Sequence, residues 1–191
     1  LSDFGKPGNY FARQIARWSQ QYRASETGTL DAMESLMEWL PGAIPPGADQ
    51  SCLIHGDFNF ENLMFHKHQP RVLAVLDWEL STLGHPLSDL AYYCMRLRLP
   101  RGKGIRGIGD MDRKELGIPG EEELVAAYCE LRGIDSIDHW PFYLAFSFFR
   151  LAAIAQGVYK RALDGNASSE RAIEVGKFAR PLAEMGAALT D

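Results

Sequence analysis

A change in hydrophobic period near residue 51 constrains the fold of this chain most. Three short apolar runs, at 52–54, 63–65 and 72–76, are separated by polar turns. Runs of this length with turn residues between them are typical of short strands. On both sides of this region, apolar residues recur at intervals of three and four, which indicates amphipathic helices. The pattern predicts a mainly helical α+β fold with a small β-hairpin insert.

Helices are predicted both before and after this insert. Asn9 is a candidate N-cap for the first helix, and Ser168 or Ser169 for the last. Pro86 suits the first turn of the helix that follows the strands. The glycine-rich segment 100–120 has the composition of a long loop. The predicted helices cover residues 11–22, 30–40, 87–97, 121–132, 140–163 and 168–189.

Composition limits the classes of partner. The chain has 191 residues, 46% of them hydrophobic, so it can bury one substantial core, and we treat residues 1–191 as one domain. A net charge of −5 provides no basic field for nucleic acid or an anionic membrane. Three widely spaced cysteines suggest neither disulfides nor a zinc site, which fits a cytoplasmic protein. Polar residues interrupt the apolar stretch 142–159, so no membrane span is expected.

A His, an Asp and an Asn follow the first predicted strand at a fixed spacing. His55, Asp57 and Asn62 form the pattern H-x-D-x4-N, and the third apolar run leads directly into Asp77. Kinase catalytic loops have this spacing and are followed by a metal-binding Asp. Phosphoryl transfer needs a group that orients the acceptor hydroxyl and oxygen ligands for Mg²⁺ or Mn²⁺. The pattern predicts the first role for Asp57 and the second for Asn62 and Asp77, which a hairpin would bring together.

The same residues resemble a known superfamily. His55-Gly56-Asp57-x4-Asn62 and Asp77-Trp78-Glu79 are similar to the signature of the aminoglycoside phosphotransferase/choline kinase superfamily, which has a protein-kinase-like fold. The segments 75–91, 117–124 and 149–159 resemble the branch of that superfamily associated with acyl-CoA dehydrogenases. The resemblance implies transfer of the γ-phosphate of ATP, or another nucleoside triphosphate, to a hydroxyl of a small molecule.

The resemblance also implies supporting residues. His55 could be a catalytic base, but the resemblance predicts that it holds the loop by packing and hydrogen bonding. The resemblance also predicts that Asp89 braces the loop backbone from the start of a helix. Glu79 either assists a metal ion through water or caps a turn. Arg150 either forms an internal ion pair or binds an acidic substrate, because an unpaired guanidinium is costly in an apolar helix. Arg101 and its basic neighbours either form a solvated loop or line the entrance for an anionic substrate. The basic residues are Arg96, Arg98, Arg101, Lys103 and Arg106.

Members of the superfamily begin with a β-rich lobe that covers the nucleotide. The residues ahead of His55 are instead predicted to form two helices, so the resemblance covers the C-terminal lobe only. We therefore expect the N-terminal lobe to be absent from this chain and the chain alone to be inactive. The surface that would face the missing lobe is expected to be exposed and to favour self-association.

Alternatives to a small-molecule kinase fit parts of the pattern. A noncatalytic scaffold derived from the kinase fold has no need of Asp57, Asn62 and Asp77 together. A metal-dependent phosphoesterase would use the same carboxylates, but such an enzyme needs more His and Asp ligands around its metal ions than this sequence offers. Aminoglycosides are poor acceptor candidates, because a polycation binds best to an acidic site and the loop at 100–120 is basic. A hydroxyacyl compound fits both the basic loop and the dehydrogenase-associated branch.

Overall fold

The computed structural model describes residues 4–5, 7–101, 104–166 and 171–190. It is mainly helical with short strands, as the sequence predicts. The helices are α1 (Tyr10–Ser25), α2 (Asp31–Gly42), α3 (Leu87–Arg98), α4 (Glu121–Arg132), α5 (Trp140–Leu163), α6 (Ala172–Gly176) and α7 (Ala179–Ala187). The strands are β1 (Cys52–Ile54), β2 (Leu63–Phe65), β3 (Val72–Val75) and β4 (Thr82–Gly84).

The strands form two nested antiparallel pairs. Strands β2 and β3 form the predicted hairpin, and β1 pairs with β4, which the sequence did not reveal. Ile54 lies opposite Thr82 in the outer pair, and Leu63 lies opposite Val75 in the inner pair. The loop after β1 and the turn after β3 are therefore adjacent. The candidate site residues lie in these two connections, Asp57 and Asn62 in the first and Asp77 in the second.

Helix α5 is the centre of the core. It packs against α1, α3, α6 and α7, and most of its residues are buried. Phe11 of α1 contacts Phe146 of α5 in an edge-to-face arrangement, with ring centroids 5.1 Å apart. By length and composition alone, α5 could cross a membrane, with a mean hydropathy of 1.3. The polar interruptions therefore do not exclude a membrane span, contrary to the expectation from sequence. However, 72% of the apolar part of α5 is buried inside the protein, as in a core helix.

The end of the chain differs from the sequence prediction. The single helix predicted at 168–189 is divided into α6 and α7, and its candidate caps, Ser168 and Ser169, lie outside the described residues. Pro181 accounts for the break, because it has no N–H to donate to the carbonyl of Lys177 and its ring would clash there.

The beginning of α1 also differs in detail. Asn9 occupies the N-cap position, but its side chain makes no capping hydrogen bond and its backbone is left-handed, with φ 48°. Its backbone N–H instead donates to Oδ1 of Asp49, at 3.2 Å. The side-chain cap predicted for Asn9 is therefore wrong, although the helix begins where it was expected.

A buried histidine joins the strands to the core. His85 lies between β4 and α3 and stacks on Tyr143 of α5, with ring centroids 5.5 Å apart. Its Nδ1 accepts a hydrogen bond from the N–H of Leu87, at 3.3 Å. Burial lowers the pKa of His85 from 6.5 to about 4. Below pH 6.5, His85 therefore binds a proton in the unfolded chain but not in the folded chain. The free energy of unfolding falls for this reason as the pH is lowered toward 4.

We expect replacement of His85 by Gln to weaken this pH dependence. Between pH 7 and pH 5 the free energy of unfolding of the wild type should fall by about 2 kcal/mol more than that of His85→Gln. Urea titrations at the two pH values measure the difference. His68→Gln is the control, because His68 is exposed and should leave the dependence unchanged. Equal pH dependence in His85→Gln and the wild type would contradict the assignment.

Candidate active site

The two connections between the strand pairs bring together residues that are distant in sequence. The N–H of Leu76 donates to the carbonyl oxygen of Asn62, at 2.8 Å, which extends the β2–β3 ladder by one residue pair. Asn62 therefore lies opposite Leu76, and Asp77 is the next residue. The backbones that carry Asn62 and Asp77 are thus adjacent, as a shared cation requires.

Asn62 is tied directly to Asp57. Asn62 is buried, and its Nδ2 donates both to the carbonyl oxygen of Asp57, at 2.9 Å, and to Oδ2 of Asp57, at 3.1 Å. Asn59 supports the same loop, since its Nδ2 donates to the Asp57 carbonyl and its Oδ1 accepts from the N–H of Glu61. The amide nitrogen of Asn62 is committed to Asp57, so Oδ1 is the atom that can bind a cation.

His55 links this loop to the end of β3. Its Nδ1 accepts from the N–H of Asp57, at 3.2 Å, and its Nε2 lies 2.7 Å from the carbonyl oxygen of Leu76. Because Nδ1 accepts, we infer that the ring proton is on Nε2 and is donated to Leu76. The ring is buried and packs against Trp78, with centroids 4.8 Å apart. Both nitrogens are used within the protein, which favours a structural role over that of a catalytic base.

Asp89 holds the loop from the first turn of α3. Its Oδ2 accepts from the N–H of His55, at 2.6 Å, and its Oδ1 accepts from the N–H of Gly56, at 3.0 Å. Burial raises the pKa of Asp89 above its usual value, although the two backbone hydrogen bonds oppose this shift. The carboxylate of Asp89 thus fixes two consecutive peptide groups just ahead of Asp57.

Asp77 has an unusual backbone conformation. It is left-handed, with φ 64°, and its side chain is exposed at the end of β3. Strained residues of this kind cluster at functional sites, and Asp tolerates the conformation better than most. Glu79 is exposed in the 3₁₀ turn that follows, where a carboxylate can reach a cation through water.

The chemistry of two candidate ligands suits a magnesium ion. The amide oxygen of Asn62 and the carboxylate of Asp77 are hard ligands of the type that Mg²⁺ prefers. Within the described part of the chain, no three His, Cys, Asp or Glu side chains are grouped to hold a metal ion. A site with two protein ligands is the type that Mg²⁺ completes with water and substrate phosphates.

Gly56 is required where the two connections touch. Its φ is +84°, and a Cβ at this position would lie 2.5 Å from the carbonyl oxygen of Leu80. The loop that carries Asp57 could not approach the turn after Asp77 this closely with a side chain present.

We expect Gly56→Ala to lower the free energy of unfolding by roughly 2–4 kcal/mol, from backbone strain and the clash together. Thermal or urea unfolding measures the loss. Gly133→Ala is the matched control, because Gly133 has φ +64° but nothing within 4 Å of its added Cβ. A loss in Gly56→Ala no larger than that in Gly133→Ala would show that the close approach to Leu80 is absent.

Arg150 does not make the internal ion pair considered from sequence. In the described part of the chain its Nη2 donates to the carbonyl oxygen of Gly56, at 2.5 Å, and no carboxylate pairs with it. Its guanidinium also lies over the rings of Trp18 and Tyr92. The only sequence signal for these contacts was the presence of a cationic residue within an apolar, aromatic helix.

Tyr92 is a second residue that sequence reasoning missed. It is buried in α3, and burial together with the neighbouring negative charge of Asp57 raises its pKa to about 12. Tyr92 therefore lies beside the candidate catalytic carboxylate as a neutral phenol. Its place in the apolar pattern of α3 gave no sign of this.

Basic residues in the last turn of α3 and in the loop that follows it are paired with acidic ones. Arg101 pairs with Asp110 of its own loop, at 3.2 Å, and is exposed. Arg98 pairs with Glu121, at 2.7 Å, and Arg96 with Glu61, at 3.1 Å. Lys103 lies outside the described residues. The described members of the cluster thus present less free positive charge than their sequence suggests.

The nested strand pairs, the loop from His55 to Asn62 and the helical body around α5 are those of the C-terminal lobe of the protein-kinase-like fold. The model of the phosphotransferase enzyme family, APH, matches residues 1–143. The chain belongs to this family.

Relatives of known sequence extend well beyond this chain. Acyl-CoA dehydrogenase family member 10 of Mus musculus is 52% identical over 186 residues, which cover 97% of this chain and 17% of the relative. Acyl-CoA dehydrogenase family member 11 of Homo sapiens is 45% identical over 191 residues, which cover all of this chain and 24% of the relative. The chain therefore spans a quarter or less of these two relatives.

Solved structures support the same fold. A crystal structure of a candidate aminoglycoside phosphotransferase from Ralstonia eutropha is 53% identical, with a TM-score of 0.94, and the match covers all of this chain and 58% of that one. The apo form of a thermostable mutant of APH(4)-Ia is 16% identical, with a TM-score of 0.57, over 94% of this chain and 52% of that one. At this low identity, the second structure shows the fold alone.

Proposed function

We propose that this chain is the catalytic lobe of a small-molecule kinase that transfers the γ-phosphate of ATP to a hydroxyl group. The observation that carries the proposal is the hydrogen bond from Asn62 to the carboxylate of Asp57, directly beside the backbone of Asp77. Membership of the phosphotransferase family supports the same class of reaction.

Asp57 would orient the acceptor hydroxyl and take its proton. Asn62 holds one carboxylate oxygen, while His55 and Asp89 fix the backbone on either side of Gly56. Such preorganisation matters because phosphoryl transfer depends mainly on positioning and charge stabilisation. Asn62 and Asp77 would hold Mg²⁺, which neutralises phosphate charge when bound.

The nucleotide would lie between this lobe and a second, nucleotide-covering lobe. Exposed apolar side chains on and beside the strands support this proposal, because a covering lobe could bury them. These side chains are those of Leu53, Met64, Phe65, Val72, Leu73, Leu76, Trp78 and Leu80. We call this set the strand patch. We call a polypeptide that carries a nucleotide-covering lobe ahead of this chain the two-lobe protein.

ATP is the proposed donor. One remote structural neighbour, the N203A mutant of APH(4)-Ia, is a ternary complex with AMP-PNP and hygromycin B, and AMP-PNP is an analogue of ATP. That neighbour is 15% identical to this chain and shares its fold. The proposal for this chain therefore rests on its own Asp57, Asn62 and Asp77.

The proposed acceptor is a hydroxylated acyl compound. A cavity of about 320 Å³ lies beside the catalytic loop and is lined by Phe60, Ile108 and Ile118 as well as by Arg96 and Arg106. The apolar residues suit an acyl chain. Arg96 and Arg106 both pair with Glu61, at 3.1 Å and 3.8 Å, and Glu61 also lines the cavity, so an anionic group of the acceptor would compete with Glu61 for these two cations. The names of the relatives, acyl-CoA dehydrogenase family members 10 and 11, agree with an acyl substrate.

Transfer of labelled phosphate from ATP in the two-lobe protein tests the proposal. Hydroxy acids, their acyl-CoA thioesters and aminoglycosides are offered separately, each with Mg²⁺ and with EDTA. We expect a phosphorylated hydroxyacyl product that requires Mg²⁺ and no product from aminoglycosides. Tight ATP binding without transfer to any hydroxyl would favour a noncatalytic scaffold and overturn the assignment.

A further inference from the structure

Arg150 reaches the catalytic loop from the centre of the core. Its Nη2 donates to the carbonyl oxygen of Gly56, at 2.5 Å, across 94 positions of sequence. Its Cζ lies 5.4 Å from the ring centroid of Tyr92 and 5.7 Å from that of Trp18. Trp18 is itself held by a hydrogen bond from its Nε1 to Gln14, at 3.0 Å. The guanidinium therefore has a defined position between two rings.

This arrangement is not the one that core stability alone would favour. The Nε of Arg150 is buried and has no hydrogen-bond partner in the described part of the chain. A half-buried cation with an unmatched buried donor costs free energy that an apolar side chain in the same helix would avoid. The presence of a guanidinium here is thus better explained by the group that it binds than by any contribution to the stability of the core.

What Arg150 holds is the peptide group that leads into Asp57. The carbonyl of Gly56 and the N–H of Asp57 belong to one planar unit. Arg150 binds the carbonyl, while Nδ1 of His55 accepts the N–H, at 3.2 Å. The N–H of Gly56 donates to Asp89, at 3.0 Å. Gly56 is therefore held by a cation at its carbonyl and by an anion at its N–H.

We propose that Arg150 is a positioning residue for phosphoryl transfer, which with Asp89 clamps Gly56 and thereby fixes the direction of the Asp57 carboxylate. The role in transfer rests on the function proposed above, whereas the clamp itself does not. Tyr92 provides a second link between Arg150 and Asp57, because its ring lies under the guanidinium and its phenol lies beside Asp57. The donation to Gly56 also argues against the alternative that Arg150 binds substrate.

Hydrogen exchange in the 191-residue chain tests the clamp without activity. In Arg150→Met the amide protons of Gly56 and Asp57 should exchange at least about tenfold faster, because a charge-assisted hydrogen bond is lost. Arg150→Lys should lie between this variant and the wild type, since it keeps the charge but loses the planar fork. Arg17→Met is the matched control, because the guanidinium of Arg17 also lies over Trp18, at 5.4 Å, but is exposed.

Unchanged exchange at Gly56 and Asp57 in both Arg150 variants would overturn the clamp. The same holds if Arg17→Met speeds exchange as much as Arg150→Met does. If Arg150→Met unfolds the chain, Arg150→Lys decides the question, because a cation remains in the helix and the amides of α5 serve as the internal reference.

Kinetics of the two-lobe protein test the positioning role. For Arg150→Met we expect kcat to fall at least about tenfold while KM for ATP and acceptor stays within about twofold, since only the orientation of Asp57 changes. A raised acceptor KM with an unchanged kcat would make Arg150 a substrate residue and overturn the proposal. If the wild type transfers no phosphate, the proposed function fails, and the exchange experiment still decides the clamp.

Discussion

Replacement of Asp57 by Asn in the two-lobe protein should lower turnover by about 10²- to 10⁴-fold, the range expected when a general base is removed. Asparagine cannot take the proton of the acceptor hydroxyl, but its side-chain oxygen can still accept the hydrogen bond that Nδ2 of Asn62 donates to Asp57, at 3.1 Å. The loop should therefore keep its shape. The affinity for MgATP should remain nearly unchanged, because the role proposed for Asp57 is to orient the acceptor and not to bind phosphate.

Steady-state kinetics and calorimetry with MgATP measure the two effects separately. Asp31→Asn is the matched control, because Asp31 is exposed in the first turn of α2 and the chemical change is the same. Asp77→Asn is the contrasting variant and should weaken metal-dependent ATP binding as well as turnover. If Asp57→Asn keeps near wild-type turnover, Asp57 has no part in the mechanism.

The success of the sequence prediction depended on how local each signal was. Helices α4 and α5 begin and end where predicted, because their periodicity and flanking breakers lie within the segments themselves. Strand β4 was missed because its sequence, Thr82-Leu83-Gly84, is not an apolar run like those of β1 and β2. It exists only because Thr82, Leu83 and Gly84 pair with β1. At the C-terminal end, one long periodic pattern concealed the break that Pro181 imposes.

The same distinction explains what could be predicted of the site. Asp57, Asn62 and Asp77 could be predicted as candidate site residues because catalytic loops keep such residues at a fixed spacing along the chain, and the structure brings Asn62 next to Asp57 and next to the backbone that leads into Asp77. The hydrogen bond of Arg150 to Gly56 could not be found in this way, because its acceptor is a backbone carbonyl and leaves no residue-specific signal. Tyr92 was hidden for a related reason, since a buried tyrosine in a helix fits the apolar pattern whether or not a carboxylate lies beside its hydroxyl.

The 191-residue chain alone should fold but should neither transfer phosphate nor bind ATP tightly. Folding is expected because α5 is surrounded by α1, α3, α6 and α7 and forms a closed core. Tight binding is not expected, because in kinase-like enzymes the nucleotide lies between two lobes and a lysine outside this lobe grips its phosphates. Only the contacts bridged by a metal ion through Asn62 and Asp77 would remain. The strand patch, whose residues Phe65 and Leu80 are 52% and 53% exposed, should favour self-association.

Calorimetry of the isolated chain with ATP and Mg²⁺ tests this expectation, and circular dichroism checks that the chain is folded. Any weak binding that remains should require Mg²⁺ and should be lost in Asp77→Asn, since that carboxylate supplies the bridging contact. Phe65→Ser should reduce concentration-dependent association in sedimentation without changing ATP binding, because Phe65 belongs to the strand patch and not to the metal ligands. A dissociation constant in the low micromolar range or tighter would mean that this lobe binds the nucleotide without a covering partner, and the two-lobe account would be wrong.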